Sequence, residues 1–578
     1  MTTCIPPQKF KTTTSNDMDA QLNLHYLDFI AANFSCHPTA ATALGNHRFD
    51  HLLDDVSAPA RARWQHYLRQ TLAKLPHVID YDKLSRDAQI DYHIFHDDLK
   101  RSIWIDEHEL PYENDPRLYA TKITGSIYDL FMQSTVPKAT NVQNAVARMQ
   151  LAPALLAEAQ RNLKNPPRVV VETARQQTQG AITFFEHELY ELIGDTVDQE
   201  VLTRSANNVI VALREYQQFI DQVLLPRASD SWRLGKKRFS HKLDLVLEAD
   251  VSADQVMLEA KEEFARVRNA MTDIAQQLWN RYFSNRAMPA NDAAGRHQTI
   301  TLVLNEINRK HGTAEQLVSD AKATIAGLKS FIVEHQIISL PDPDTLVIID
   351  MPEFRRGNSV ADLSCAPPLD STATSIYAIS PPPKHWTTEQ TESFLQEYNR
   401  YMLQILSIHE AYPGHHVQLT LANNHPSLIR KILSSGVYAE GWAVYCENMM
   451  LEQGYGDGDP ALRLIQYKFY LRAIANAILD HSMHCTNMSD AEAMDLLVNE
   501  AFQAQGEAAL KVIRAKQSSC QLSTYFVGRM AMTRLRQSVE QRQGAHFNLG
   551  QYHQAVVAQG SIPVKYLPEL VFKELGLE

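Results

Sequence analysis

Helical periodicity runs through more than half of this 578-residue chain and constrains its fold more than any other feature. Between about residues 16 and 335, apolar residues recur at three- and four-residue spacing, the pattern of helices that bury one face. The clearest segments are NAVARMQLAPALLAEAQRNL (144–163) and SADQVMLEAKEEFARVRNAMTDIAQQLWNRYF (252–283), and Ser252 is a suitable N-cap for the second. The pattern predicts a mainly α fold, preceded by a flexible tail at residues 1–15.

The helical pattern is interrupted between residues 336 and 383, where proline, serine and threonine become frequent. The run TLVIID (345–350) favours a strand, and SIYAIS (375–380) predicts an edge strand because prolines follow it. Helical periodicity then resumes and continues to the C-terminus. We therefore predict three stretches that form one unit: the tail (1–15), a mainly helical N-terminal part (16–335), and a part with the small β insert and the C-terminal helices (336–578).

A single helix is predicted from residue 387 to residue 410, TTEQTESFLQEYNRYMLQILSIHE. Thr387 and Gln390 have the spacing of a capping box, which marks a helix start. This helix would carry five side chains on one face: Phe394, Tyr398, Met402, Ile405 and His409.

The end of this helix holds three histidines and one glutamate within eight residues, HEAYPGHH (409–416). In zinc enzymes with an HExxH helix, two histidines four residues apart bind one metal, and the glutamate between them acts as general base. Here Pro413 stands in place of the second histidine, so the chain must bulge at Pro413 and Gly414 for a later histidine to reach the metal. A bulge of two residues favours His415 and a bulge of three favours His416, and spacing leaves both open. The competing interpretation is a helix C-terminus rich in histidine.

A carboxylate on the next predicted helix strengthens the metal interpretation. The segment 434–455 predicts a helix with Ser434 or Ser435 as its N-cap, and Glu440 lies in its first turns. A zinc site with two histidines needs such a third ligand. Glu447, two turns later on nearly the same face, is placed to accept a proton from a ligand histidine. Taken alone, Glu440 would be a first-turn glutamate favoured by the helix dipole.

The net charge, the cysteine spacing and the sequence around the histidines limit the classes of protein to which this chain can belong. A formal charge of −12 argues against a broad nucleic-acid-binding surface. The six cysteines are scattered without a CxxC pair, and no run of 18 or more apolar residues occurs. The first twenty residues lack an apolar segment, so we expect no signal peptide there. None of the 23 histidines has a glutamate three residues earlier, which excludes a di-iron carboxylate bundle. We expect a soluble cytoplasmic protein that spans no membrane, as a monomer or weak homodimer.

The motifs HEAYPGHHVQL (409–419) and YAEGWAVYCE (438–447) resemble those of the bacterial domain of unknown function 885 family, whose members carry HExxPGHH followed by EGWA. That family is similar in turn to the gluzincin metallopeptidases, which include angiotensin-converting enzyme, thimet oligopeptidase and carboxypeptidase Taq. The resemblance implies a mainly helical, two-lobed fold with a central cleft and a small β element before the metal-binding helix. Family members often carry a secretion signal. The first residues of this sequence do not resemble such a signal.

Two later segments also resemble family blocks. RAIANAILDHSMH (472–484) matches in Arg472, Asp480 and His484. QLSTYFVGRMAMTRLR (521–536) matches a Q-x-x-S-Y-x-x-G block in Gln521, Tyr525, Gly528 and Arg529. By motif, the resemblance covers the C-terminal half of the chain.

The resemblance implies a zinc-dependent hydrolase that cleaves peptide bonds of short peptides. Zn²⁺ would be held by His409, Glu440 and one of His415 and His416, with water in the open position. Glu410 would act as general base on that zinc-bound water and then return the proton to the leaving amine.

Further roles are implied for side chains outside this motif. Tyr525 is expected to stabilise the oxyanion, with His484 as a second candidate donor and Asp480 either orienting His484 or capping a helix. Three side chains are expected to bind substrate, the two arginines through a carboxylate: Arg472, Gln521 and Arg529.

Peptide binding is also expected along the SIYAIS strand, which would add the substrate backbone to the sheet with Tyr377 facing the cleft or its opposite wall. Two alternatives stay open: a zinc-dependent amide or ester hydrolase of a non-peptide metabolite, and a non-catalytic, zinc-stabilised binding protein. The intact Glu410 argues against the second, because a structural zinc site needs no base. Cleavage at a peptide end and internal cleavage agree equally with the motifs.

Overall fold

The computed structural model describes residues 17–196, 198–351, 361–370, 372–383 and 386–577. The predicted tail and part of the predicted β insert lie outside these ranges. Within them the chain is mainly helical with one small sheet, which confirms the predicted fold class at this level. Every helix in these ranges is too short or too polar to cross a membrane.

Fifteen α-helices precede the sheet in the described residues: α1 (Asp17–Cys36), α2 (Pro38–Ala43), α3 (Ala58–Val78), α4 (Arg86–His108), α5 (Pro111–Asn114), α6 (Arg117–Met132), α7 (Lys138–Asn162), α8 (Arg168–Thr183), α9 (Leu189–Ile193), α10 (Gln199–Phe219), α11 (Leu225–Arg227), α12 (Lys236–Leu247), α13 (Ala253–Tyr282), α14 (Ala293–Asn308) and α15 (Leu317–Glu334). Helices α7 and α13 confirm the two clearest predicted segments. The Ser252 side chain caps α13 by accepting a hydrogen bond from the Gln255 amide.

Eleven α-helices follow the sheet in the described residues: α16 (Thr388–Glu397), α17 (Arg400–Glu410), α18 (His415–Ala422), α19 (Leu428–Ile432), α20 (Gly436–Glu452), α21 (Pro460–Cys485), α22 (Asp490–Met494), α23 (Gln505–Gln517), α24 (Thr524–Gln543), α25 (Leu549–Val557) and α26 (Leu567–Glu574). Helix α20 confirms the predicted helix of 434–455, and Ser435 is its N-cap.

Two large apolar cores hold the helices together. The first joins N-terminal helices to C-terminal ones, so that Tyr26 of α1 and Trp279 of α13 belong to the same core as Trp442 of α20. The second lies mainly within α6 to α11, with Ile127 and Met149 among its buried side chains. The N-terminal and C-terminal parts of the sequence therefore share one core, while the boundary between residues 335 and 336 stays a prediction.

The small sheet has three strands in the described residues: β1 (Leu346–Asp350), β2 (Ala361–Ser364) and β3 (Ser375–Ile379). Their order is β1-β3-β2, with β3 parallel to β1 and antiparallel to β2. The prediction of SIYAIS as an edge strand is therefore wrong, because β3 is central and buried along its whole length. Since both edges of β3 are occupied, a peptide backbone has no free edge there to pair with.

The predicted helix of 387–410 is two helices. Thr387 and Gln390 form the expected capping box of α16, but α16 ends before Tyr398. The Asn399 side chain then accepts hydrogen bonds from the amides of Tyr401 and Met402 and starts α17. Phe394 and Tyr398 consequently do not share a helix face with Met402, Ile405 and His409, because a side-chain cap ends the helical register.

Candidate metal centre

The chain turns sharply between α17, which ends at Glu410, and α18, which begins at His415. The Gly414 amide donates to the Ile408 carbonyl at 3.0 Å, and a Cβ on Gly414 would lie 1.9 Å from the His409 carbonyl oxygen. Only glycine fits that approach. The predicted bulge at the Pro-Gly pair is confirmed.

This turn brings His409 and His415 to one side of Glu440, which lies on α20. The Glu440 Oε2 atom is 3.6 Å from His409 Nε2 and 3.5 Å from His415 Nε2. The three candidate ligand atoms lie within 4.8 Å of one another. All three side chains are largely buried, and Glu440 keeps 21% exposure, so the site is reachable from solvent.

His416 does not belong to this group, which corrects its prediction as an alternative ligand. Its side chain is fully buried, and its Nε2 atom lies 3.1 Å from Asp344 Oδ1. Neighbouring residues of a helix project about 100° apart, so only one of the two histidines can face Glu440 once α18 begins. The turn absorbs two residues, and His415 is the histidine on the side of the metal centre.

Glu447 lies behind His409, as predicted. Its Oε1 atom is 2.8 Å from His409 Nδ1, and the carboxylate is fully buried. Because Nδ1 is engaged by Glu447, the Nε2 atom of His409 is the one left for Glu440 and a metal. The Nδ1 atom of His415 has no hydrogen-bond partner within the described residues.

The charges of the centre shift one another's pKa values. Burial alone would raise the pKa of Glu440, but the adjacent imidazoles of His409 and His415 hold it well below its usual range. Burial would lower the pKa of His409, and its contacts with Glu440 and Glu447 raise it well above its usual value instead. Burial raises the pKa of Glu410 despite the neighbouring histidines. The carboxylates of Glu440 and Glu447 therefore stabilise a positive charge on His409, which contacts both.

Tyr525 approaches the centre through the packing of α20 against α24. Gly441, next to Glu440, meets Gly528, one turn after Tyr525, so closely that a Cβ on Gly441 would lie 2.3 Å from the Gly528 carbonyl carbon. Burial and the Glu440 carboxylate raise the pKa of Tyr525. Its hydroxyl is 3.5 Å from Gln521 Nε2. Tyr525 therefore lies near Glu440, and its predicted role toward the oxyanion stays a prediction.

His484 and Asp480 have structural contacts instead of the predicted catalytic ones. His484 Nε2 lies 2.8 Å from the Ala515 carbonyl and 2.9 Å from that of Ser518, and its ring stacks on Phe239. Asp480 accepts hydrogen bonds from the Cys520 amide at 3.0 Å and the Ser523 hydroxyl at 2.8 Å. Both side chains are buried in holding the segment before α24, so neither is free to act on a substrate.

Arg529 and Tyr377 are also buried away from any substrate. The Arg529 guanidinium lies 3.6 Å over the Tyr470 ring and 3.4 Å from Glu263, which neutralises it. The Tyr377 hydroxyl is 3.5 Å from Ser407 Oγ inside the core. The substrate-binding roles predicted for both are wrong, because a residue of a central strand and a cation paired inside the core have no exposed face.

Arg472 and Gln521 lie nearer the surface, and both have protein partners. Arg472 forms an ion pair with Glu507 of α23. Gln521 accepts a hydrogen bond from Arg514 at 2.7 Å. Their predicted role in substrate binding stays a prediction.

Sequence reasoning missed Asp344, which lies just before β1. Asp344 accepts hydrogen bonds from the Tyr412 hydroxyl at 2.6 and 2.7 Å, and it lies 2.6 Å from Lys329 Nζ. Together with its contact to His416, these bonds anchor both sides of the Pro413–Gly414 turn to the insert. Asp344 lies in the proline-containing run before a predicted strand, and nothing in that local pattern indicates a long-range contact.

The residues of this centre fit a zinc ion. Zinc binds imidazole nitrogen and carboxylate oxygen at about 2.0–2.2 Å, which places two tetrahedral ligands about 3.4 Å apart. The observed separations of 3.5 and 3.6 Å match that spacing. Glu440 Oε2 is buried and has no hydrogen-bond partner within the described residues, as expected of an oxygen reserved for a cation. Among these residues, only this trio is grouped closely enough to hold a metal ion.

This protein is thus a mainly helical protein with a candidate metal centre formed by two histidines and one glutamate. The chain belongs to the bacterial family of proteins of unknown function DUF885, which matches residues 38–571 and confirms the predicted family. A candidate lipoprotein of unknown function from Shewanella oneidensis is similar, with 30% identity, a TM-score of 0.80, and coverage of 96% of this chain and 99% of that one. A candidate lipoprotein from Colwellia psychrerythraea shares the fold at 17% identity, with a TM-score of 0.79 and coverage of 97% and 100%. No curated protein matches the chain.

Proposed function

We propose that this protein is a zinc-dependent metallopeptidase that hydrolyses short peptides. The observation that carries the proposal is the grouping of His409, His415 and Glu440, with Glu410 adjacent to the first of them in sequence. Two nitrogens and one oxygen are the ligand set of catalytic zinc sites that keep a position open, whereas structural zinc sites close with four protein ligands. The trio therefore favours catalysis over a structural role.

Each residue of the centre has a distinct part in the proposed reaction. A bound zinc ion would polarise a carbonyl and lower the pKa of a coordinated water toward neutral. Glu410 accepts the proton of the attacking water and delivers it to the leaving amine. Glu447 holds His409 through Nδ1 so that Nε2 faces the metal. Tyr525 donates a hydrogen bond to the developing oxyanion.

The gluzincin-like, two-lobed arrangement with a central cleft belongs to the same proposal, since a cleft would admit short peptides and exclude folded proteins. The expected cytoplasmic location stays a prediction, and both solved relatives are described as candidate lipoproteins. Fractionation of the native host tests the location directly.

Metal analysis tests the centre. Elemental analysis of protein purified without a histidine tag should find one zinc ion per chain. His409→Ala and Glu440→Ala should lose it. His335→Gln is the matched control, since His335 is exposed and, among the described residues, its ring contacts only Phe331, and its replacement should leave the zinc content unchanged. Equal zinc loss in all three variants, or zinc retained in the first two, would contradict the assigned ligands.

Turnover tests the reaction. The wild-type protein should cleave members of a peptide library, as read by mass spectrometry of the products. Glu410→Gln should keep its zinc and lose at least about a thousandfold in rate, because the general base is gone. Full activity of Glu410→Gln would exclude this mechanism, and cleavage of amide or ester metabolites without peptide cleavage would favour the non-peptide hydrolase.

A further inference from the structure

A carbonyl group in the turn before His415 is bound by a side chain of the helix that carries Glu440. The Trp442 indole Nε1 donates to the Pro413 carbonyl at 2.8 Å, and Trp442 is 1% exposed. Pro413 precedes His415 by two residues, and Trp442 follows Glu440 by two residues on α20. A single hydrogen bond therefore joins the segment of one candidate ligand to the helix of another.

The backbone around the turn does not satisfy the Pro413 carbonyl. The Gly414 amide points back to α17, where it donates to the Ile408 carbonyl at 3.0 Å. The Gln418 amide begins α18 by donating to the Gly414 carbonyl at 3.1 Å, and no backbone amide of the described residues donates to Pro413. The Cys446 thiol lies 3.9 Å from the Pro413 oxygen, and a thiol is a weak donor. The indole is thus the strong donor to this buried oxygen.

The indole ring is itself held by a buried histidine of α25. The His553 ring meets the Trp442 ring edge-on, with 5.4 Å between the ring centroids. Burial lowers the pKa of His553 to about 3, so the imidazole is neutral. Its Nδ1 atom donates to the Ile337 carbonyl, and its Nε2 atom accepts from the Tyr445 hydroxyl, each at 2.8 Å. Because both nitrogens are engaged, the ring beside the indole has a fixed orientation.

The contact with Asp344 anchors the turn in a different direction. Asp344 binds His416 on the side of the β insert, and neither residue belongs to the group of candidate ligands. The indole bond instead ties the turn to α20. Helix α20 also carries the Glu440 Oε2 atom, which lies 3.5 Å from His415 Nε2.

We propose that Trp442 is a positioning residue of the metal centre, which holds His415 at the distance from Glu440 that a zinc ion requires. The inference rests on the proposed function, because it concerns the ligands of that same site. Metal ligands must be held to within about 0.5 Å of their working geometry. Without the indole N–H, the Pro413 carbonyl would be buried without a strong donor, which is unfavourable. The turn then shifts to relieve this, and His415 moves out of its place.

The zinc affinity of the whole protein tests the inference, measured by competition with a chelator. Trp442→Phe keeps an aromatic ring, removes the donor and should weaken zinc binding about tenfold. A second variant replaces Trp442 by 3-benzothienylalanine, which has the shape of tryptophan with sulfur in place of the N–H. This variant should show the same loss while the packing of the ring is kept. Wild-type zinc affinity in both variants would overturn the inference.

Trp279→Phe is the matched control. Trp279 of α13 is also 1% exposed, and its Nε1 donates to the Arg286 carbonyl at 2.9 Å. Its replacement removes the same kind of buried hydrogen bond, so the unfolding temperature of the zinc-free protein should fall about as much as in Trp442→Phe. Its zinc affinity should stay that of the wild type. An equal loss of zinc affinity in both phenylalanine variants would assign the effect to general stability and overturn the inference.

The visible spectrum of the cobalt-loaded protein reports which ligand moves, because cobalt absorption depends on the number and geometry of its ligands. With cobalt in excess, the spectrum of Trp442→Phe should shift toward that of His415→Ala, and that of Trp279→Phe should match the wild type. A wild-type spectrum in Trp442→Phe would contradict the positioning role. A wild type that binds zinc, loses affinity in Trp442→Phe alone and cleaves no peptide would refute the proposed function and support the inference.

Discussion

Gly441 of α20 and Gly528 of α24 touch backbone to backbone. A Cβ on Gly528 would lie 2.0 Å from the Val437 carbonyl oxygen and 2.6 Å from the Gly441 Cα. Neither helix can carry a side chain at this crossing without moving away from the other. The crossing thereby sets how near Tyr525 comes to Glu440.

We expect Gly528→Ala to lower the free energy of unfolding by about 3 kcal/mol, because the added methyl group overlaps the backbone of α20. Denaturant titration measures the loss. Gly506→Ala is the control, since a Cβ there meets nothing within 4 Å, and the change should stay within about 1 kcal/mol. Equal stability of Gly528→Ala and the wild type would contradict the close crossing.

Glu447→Gln should weaken zinc binding by about 10- to 100-fold, because the hydrogen bond to His409 Nδ1 orients the ring. Competition with a chelator measures the affinity. Glu452→Gln, at an exposed position on the same helix, should leave it unchanged. The prediction fails if both variants bind zinc as the wild type does.

Asp344→Asn should weaken zinc binding by about tenfold, because the turn that carries His415 loses its charged anchor to Tyr412 and His416. The exposed Asp350, also in the insert, provides the control as Asp350→Asn. Chelator competition again reads the effect. An unchanged affinity in Asp344→Asn would show that the turn holds its shape without this anchor.

Glu248 should make stability depend on pH. Burial raises its pKa from 4.5 to about 7, although Arg101 opposes the shift. Below pH 4.5 the group is protonated in both the folded and unfolded protein. As pH rises through 7, the folded state must bury a charge, and its stability falls by up to about 3 kcal/mol.

Glu248→Gln should therefore be more stable than the wild type at pH 8 and equally stable at pH 4, as measured by denaturant titration at both values. The exposed Glu262 gives the control, and Glu262→Gln should show no such difference between the two pH values. A Glu248→Gln variant that is less stable than the wild type at pH 8 would contradict the shift.

Much of the helical fold was predictable because local patterns carry it. Helices α7, α13 and α20 follow from apolar spacing, and α13 and α20 also have serine caps near the predicted positions. The structural predictions were wrong where a single side chain or a strand from elsewhere in the sequence overrides the local pattern of apolar residues. Asn399 divides a segment that is helical throughout by periodicity. β3 is central because β2, a short and polar strand, pairs with it from elsewhere in the insert.

The candidate metal centre was likewise predictable in its residues and not in their arrangement. The sequence by itself determined the residue types, the Pro-Gly interruption and the glutamate on the next helix, because these are properties of short segments. Only the tertiary structure decided that His415 faces Glu440 while His416 faces Asp344, and that His484 and Arg529 are packed inside the core. Which side of a turn a histidine faces depends on how the chain bends and on contacts from residues far away in sequence, and neither is encoded in spacing.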